Sequence, residues 1–423
     1  MRLLIPIIAV LFTLSGCHGK TDPPGDPPTG VTATPGDGLV VISWDALPEL
    51  TYWIFFQPGS TVAVATPDSI AIRRAISPRP VTGLTNGIQY AFAMNATRDD
   101  SSAGPSSFSV VASPRLAGAD WVSGTGLGTL PQNLKSIALN GSRLVAVGDA
   151  AAIFAGDLDY TSVDPPGILA WMPPSSLPVA FSSDLAGVIT TNGTFTALGT
   201  DGSTMTSSDG LTWTAKGRVP AIGMSGLAFG FVAGVTPTFF AVGAGGDIFA
   251  STDNLVSWNP VSSGTSSDLT GISLLNRAFF VTGAGGTLLT SPTGAEGTWA
   301  PLVTNTANTL RSVAFNPTSL GNPYVAVGDA ATILTSPDGV SWTSVAPSAI
   351  TPPLRQDLRS VTVGGATASR FLAVGQAGAV AYSDDGLNWS TASSGPSNNL
   401  AGVLYTSGMY LAVGDAGANA VAR

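Results

Sequence analysis

Apolar residues along this chain come in short runs separated by turns, and the runs have the length and alternation of strands. The stretch 310–345 shows the plan. LRSVAF (310–315), YVAVGD (324–329), ATILTS (331–336) and VSWTSV (340–345) are four strand-sized segments. The breaks between them are rich in Gly, Asp, Asn, Ser and Pro, the residues that turn a chain tightly. The same texture fills residues 31–115. VTATPGDGLVVISW places Val31, Leu39, Val41 and Trp44 on strands around a PGDG turn. YWIFFQPG (52–59) follows, and VTGLTNGIQYAFAMNA (81–96) sets Tyr90, Phe92 and Met94 on one face. The pattern predicts an all-β protein.

After residue 116 the pattern repeats. An apolar run ending in glycine recurs at Gly148, Gly199, Gly243, Gly283, Gly328, Gly375 and Gly414. A spacing of roughly 40–50 residues with four strands per unit predicts a propeller. Tryptophans keep the same count. Trp171, Trp213, Trp258, Trp299, Trp342 and Trp389 are each expected on the fourth strand of a unit. The seventh unit, from LAGVLY (400–405) onward, has none, and Trp121 stands alone ahead of the first unit. The strand around Trp121 is therefore expected to complete the last sheet, which removes open sheet edges.

Composition narrows the function. The formal net charge of −9 argues against nucleic acid, which requires clustered basic surface. The one cysteine, Cys17, and the one histidine, His18, are neighbours near the N-terminus. A His-ligated zinc or a Ser-His-Asp triad needs an imidazole in the folded body, so neither is expected, nor is a cofactor. No segment beyond the N-terminus has the ~20 consecutive apolar residues that span a bilayer.

Residues 1–16 read as a signal peptide: Arg2, then an apolar run from Leu3 to Phe12 too short to cross a membrane. LSGC, Leu14 to Cys17, resembles the bacterial lipobox. That resemblance implies cleavage before Cys17, diacylation of its sulfur and acylation of the new amine, and two or more acyl chains anchor stably. His18 in place of aspartate implies the outer membrane. Residues 17–30, Pro- and Gly-rich, read as a tether.

Residues 31–115 resemble a fibronectin type III domain, on Trp44 in the second strand, Tyr52 in the third, and Leu84 six residues before Tyr90. The resemblance implies a sandwich in which the Tyr90 hydroxyl bonds back to upstream backbone, acting as a spacer. Residues 116–423 resemble the seven-bladed propellers of photosystem II assembly factors and BNR-like surface proteins. The shared features are the VGxxG turn, the S-x-DG-x-x-W hairpin and the leading L-R-S-V. The resemblance implies the fold firmly and the role weakly. The expected architecture is thus a small fibronectin type III-like sandwich followed by a seven-bladed propeller closed by an N-terminal strand.

Four hairpins match the Asp-box: SSDGLTW (Asp209, Trp213), STDNLVSW (Asp253, Trp258), SPDGVSW (Asp338, Trp342) and SDDGLNW (Asp385, Trp389). Their carboxylates are expected to bond nearby N–H groups in the turn, a structural role. The GD turns at Asp149, Asp329 and Asp415 read likewise as hairpin corners. Sialidase chemistry needs a Tyr/Glu pair, and the two glutamates, Glu49 and Glu296, fall in the sandwich and in a rim turn. A hydrolase or lyase built on aspartates remains the alternative, with Asp164, Asp184, Asp268 and Asp357 in loops near the mouth.

One position stands out across the repeats. The residue after the first apolar residue of each unit's leading strand is Lys135, Ala186, Ser225, Thr270, Arg311, Arg359 and Ala401. Three of the ten Lys and Arg residues after position 115 fall here. Clustered at a channel mouth, Lys135, Arg311 and Arg359, with Arg355 nearby, would focus a field on an acidic ligand. The plain alternative is that each pairs with a nearby aspartate such as Asp357. The expected function is a non-enzymatic, membrane-anchored binding or scaffolding lipoprotein of the bacterial envelope, at the cell surface or the periplasmic face. It is expected to be a monomer whose mouth holds an envelope protein segment or acidic polysaccharide.

Overall fold

A computed structural model describes residues 22–64, 70–98, 102–115, 117–118, 121–124, 131–158, 168–178, 182–319, 321–365, 369–393, 395–406 and 408–422. The protein is all-β, with a few single-turn 3-10 segments. Among the described residues no helix is long and apolar enough to cross a membrane. Cys17 and Asp164 lie outside the described residues.

The chain divides into two compact units. The first gathers Ile42–Arg79, Gln89–Ala112 and the described residues up to Ala33. The second gathers Thr34–Val41, Pro80–Ile88 and the described part of Ser113–Arg423. In the first, Ile70–Ala75, Thr51–Pro58, Tyr90–Thr97 and Val110–Ala112 form an antiparallel sheet in that order. Trp44 falls one residue past the strand Leu39–Ser43, and its ring lies 5.3 Å from that of Tyr52. The Tyr52 hydroxyl accepts the Leu47 N–H at 2.9 Å. Tyr90 opens its strand and is buried.

The second unit carries seven successive sheets of four or five strands among its described residues. We number them one to seven along the chain. Their leading strands are Leu134–Asn140, Leu185–Thr191, Met224–Val232, Leu269–Leu275, Leu310–Phe315, Leu358–Gly364 and Leu400–Thr406. Each leading strand packs against the next, and the seventh packs against the first, so the sheets close a ring. Sheet six gains a fifth strand, Ile350–Thr351, parallel to Trp389–Ser393. The strand Trp121–Ser123 pairs with Asn419–Ala422 (Val122 opposite Val421) and completes sheet seven.

The core lies between sheets. Seven buried clusters each take residues from two neighbouring sheets, and each contains one tryptophan. Strand alternation explains this: Val145 and Val147 face sheet two, while Leu144 and Ala146 on the same strand face sheet seven. Trp171 and Trp389 lie on fourth strands, whereas Trp213, Trp258, Trp299 and Trp342 sit just ahead of theirs. The indole needs the hairpin, not the ladder, for its place: Trp213, Trp342 and Trp389 each donate to the carbonyl of the box glycine three residues back, at 3.1–3.2 Å. Trp121 donates to Gly118 in the same geometry, at 2.9 Å.

Candidate functional site

Every leading strand begins with the same irregularity. In sheet five, Leu310 pairs with Gly328 and Ser312 with Val327, so Arg311 is an extra residue opposite none. The same bulge falls on Lys135, Ala186, Ser225, Thr270, Arg359 and Ala401. A bulge re-aims its side chain away from the pleat. All seven bulged residues line one central cavity of about 430 Å³. The repeat glycine is the other half of the device. Its φ is extended in sheets three, four, six and seven, near −167°. Crowding is what demands glycine: a β-carbon on Gly328 would stand 2.1 Å from the Thr309 carbonyl oxygen, and one on Gly375 1.9 Å from that of Asp357.

The three cations predicted for this slot are thus brought to one cavity, and each has a carboxylate partner. Lys135 pairs with Asp149 and, at 3.8 Å, with Asp184. Arg311 pairs with Asp329 through Nε. Arg359 reaches Asp415 of the next sheet at 3.7 Å. The partners are the GD-turn aspartates, which sequence reading treated as hairpin corners, rather than Asp357. Burial pushes the Asp149 carboxyl up, but hydrogen bonds from Lys135 and Asn133 outweigh it and leave it below the usual carboxylate range. The side chains of these pairs are about one-third exposed. Such pairs contribute about 1 kcal/mol or less, so a ligand that takes a cation from its aspartate displaces little. The charge is lopsided: sheets five, six, seven and one supply it, while sheets two, three and four present Ala186, Ser225 and Thr270. Arg355 is exposed on the loop before Leu358 and does not line the cavity.

Asp184, Asp268 and Asp357, the described candidates for acid chemistry, each accept a backbone N–H from the preceding sheet's turn. The donors are Ala150, Gly245 and Ala330, all at 2.8 Å. Asn399 accepts from Ala377 and Asn133 from Ala416 in the same way. This latch between sheets was missed in the sequence. Its signal is an Asp or Asn just ahead of the Leu that opens a leading strand, present in five of the seven units. Among the described residues no group of three His, Cys, Asp or Glu is placed to hold a metal.

The Asp-boxes lie in the turns between third and fourth strands. Asp209 accepts N–H bonds from Leu211 and Thr212 and the Ser207 hydroxyl. Asp338 repeats this with Val340, Ser341 and Ser336, and Asp385 with Leu387, Asn388 and Ser383. Asp253 binds the Ser257 N–H and hydroxyl. The Thr212 N–H leads in holding the Asp209 carboxyl down at about 2, and that of Ser341 does so for Asp338, also at about 2. Glu296 accepts the Ser262 N–H at the rim.

No family model and no curated protein matches the chain. Solved structures do. YCF48 from Cyanidioschyzon merolae aligns with a TM-score of 0.53 at 14% identity, covering 72% of this chain and 98% of that one. A structure described as YCF48 bound to D1 peptide aligns at 0.54 and 14%, covering 72% and 94%. The WD40 repeats of RRP9 align at 0.54 and 10%, covering 72% and 99%. At such identities the likeness shows the fold, a β-propeller, and nothing narrower.

Proposed function

We propose that this chain is a binding or scaffolding protein of the bacterial envelope, anchored through Cys17 and carrying a seven-bladed propeller behind a fibronectin type III-like spacer. The propeller mouth takes a segment of another protein. One observation carries the reading: seven bulges point seven side chains into one cavity, three of them cations held by loosely bound aspartates. A segment bearing both signs of charge exchanges with those pairs at little cost, whereas a uniformly acidic glycan must overcome Asp149, Asp329 and Asp415. The YCF48 structure bound to a peptide is an example of the use on a similar fold. The chain binds and does not turn over its ligand. In support, Asp184, Asp268 and Asp357 are committed to backbone N–H groups.

The test is capture from envelope protein and polysaccharide extract by the full chain and by the variant Lys135→Ala, Arg311→Ala, Arg359→Ala. A protein captured by the wild type and lost in the variant, at unchanged melting temperature, supports the mouth as the site. Identical capture, or none, removes it. For the anchor, Cys17→Ala is expected to move the protein from the membrane fraction to the soluble one.

A further inference from the structure

The interface between sheets two and three breaks the rule of its neighbours. In five of the interfaces a turn glycine of one sheet lies on an apolar side chain of the sheet before it. Gly210 lies on Val145, Gly294 on Phe240, Gly339 on Phe280, Gly386 on Val325 and Gly118 on Leu372. The apolar residue always stands three positions before the repeat glycine of its own second strand. In sheet two that position is Thr196. In sheet three the glycine is gone as well: STDNLVSW is one residue longer, and Asn254 and Leu255 make the turn with φ of 59° and 71°. Both sides of the joint have changed together. Leu255 packs into the core between the two sheets, and beside the joint lies a cleft of about 600 Å³.

The cleft is not a packing fault filled with oil. Thr196 lines it, and its hydroxyl is buried with no hydrogen-bond partner among the described residues. A hydroxyl in that state is costly unless something supplies a bond. Thr206, Asn192 and Asn254 add further groups that both donate and accept. Phe229, half-buried, lines it beside Phe239, with 4.8 Å between ring centroids. Lys216, from sheet two, lines the cleft with no ion pair or hydrogen bond among the described residues, opposite in sign to Asp253, which lines it from sheet three. The charges cancel, so a phosphate or polyanion gains nothing here.

We infer that this cleft is a second binding site, separate from the central mouth, and that it takes a short uncharged saccharide. A sugar ring has an apolar C–H face to lay on Phe229 and a rim of hydroxyls, each donor and acceptor, to meet the Thr and Asn side chains. The size falls within the range of small-molecule sites. An extended peptide would call for a run of backbone partners, whereas threonines and asparagines make up most of the lining.

The test is calorimetric titration of the full chain with cellobiose, maltose and N,N′-diacetylchitobiose. Saturable binding of at least one is expected. Thr196→Val, which restores the apolar residue used in the other sheets, is expected to weaken it at least tenfold without lowering the melting temperature. Lys216→Ala is expected to weaken it while leaving the fold untouched, and decides the matter if the valine variant misfolds. The variant Lys135→Ala, Arg311→Ala, Arg359→Ala is expected to bind the sugar normally, which separates this site from the mouth. Absence of binding by all three sugars, or binding indifferent to both cleft variants, overturns the inference. So does a peptide that is released by Thr196→Val and is not displaced by any of the sugars.

Discussion

Two sets of aspartates stand at opposite ends of third strands, one in turns that leave such a strand and the other in turns that enter it. At the rim, Asp209, Asp338 and Asp385 are served by N–H groups two and three residues away. At the mouth, Asp149, Asp329 and Asp415 hold cations from bulged positions, and Asp415 takes its cation from the neighbouring sheet. The first set closes its turns and has nothing left to offer. The second holds partly exposed cations at a cavity in pairs worth about 1 kcal/mol or less. Local bonding makes an aspartate structural, and pairing over distance keeps it available.

The contrast can be broken from either end. The largest effect belongs to the rim anchor. Trp389 is 2% exposed, and Trp389→Ala is expected to cost about 3–5 kcal/mol by cavity formation, read in denaturant unfolding. At the mouth, Gly328→Ala forces a methyl against the Thr309 carbonyl and is expected to cost about 1–3 kcal/mol. Removing a box carboxylate, Asp338→Ala, strands the turn N–H groups and is expected to cost about 1 kcal/mol, as loss of a comparable side-chain cap does. Asp329→Asn is expected to cost less than about 1 kcal/mol while changing ligand capture, the reverse of Asp338→Ala. Acid sharpens the distinction. The carboxyls of Asp209, Asp253 and Asp338 are held down at about 2 in the folded state, from an ordinary 3.8. Their contribution is complete above pH 3.8 and is lost as the pH falls through 2. The melting temperature is expected to drop across that window, and less so in Asp338→Ala.

Legibility followed the same divide. The tryptophans were readable because each answers a need within a few residues, as Trp342 over Gly339 does, and the repeat glycines were readable by recurrence, although what crowds Gly328 is the Thr309 carbonyl beside the neighbouring strand. The slot at Arg311 was readable by laying the units side by side. Its cause was not, since a bulge is a mismatch between two strands and only pairing reveals it. That each cation has an aspartate nearby was the plain alternative in the sequence, but the example it offered, Asp357, is near Arg359 only along the chain, and a neighbouring sheet brings Asp415 instead. The exception at Thr196 was visible in the sequence as a polar residue in an apolar column. Its meaning required seeing that the facing glycine was lost too.

The pairing of Val122 with Val421 also fixes an order of events. These two residues are separated along the chain by nearly all seven sheets, and contacts so distant in sequence form late. A nascent chain has already made Trp121–Ser123 long before its partner leaves the ribosome. Until then two strand edges stay open, one at each end of the arc, and each is a template for another copy. Truncation before Asn419 makes that interval permanent. Such a product is expected to link end to end into oligomers, where the finished chain seals itself.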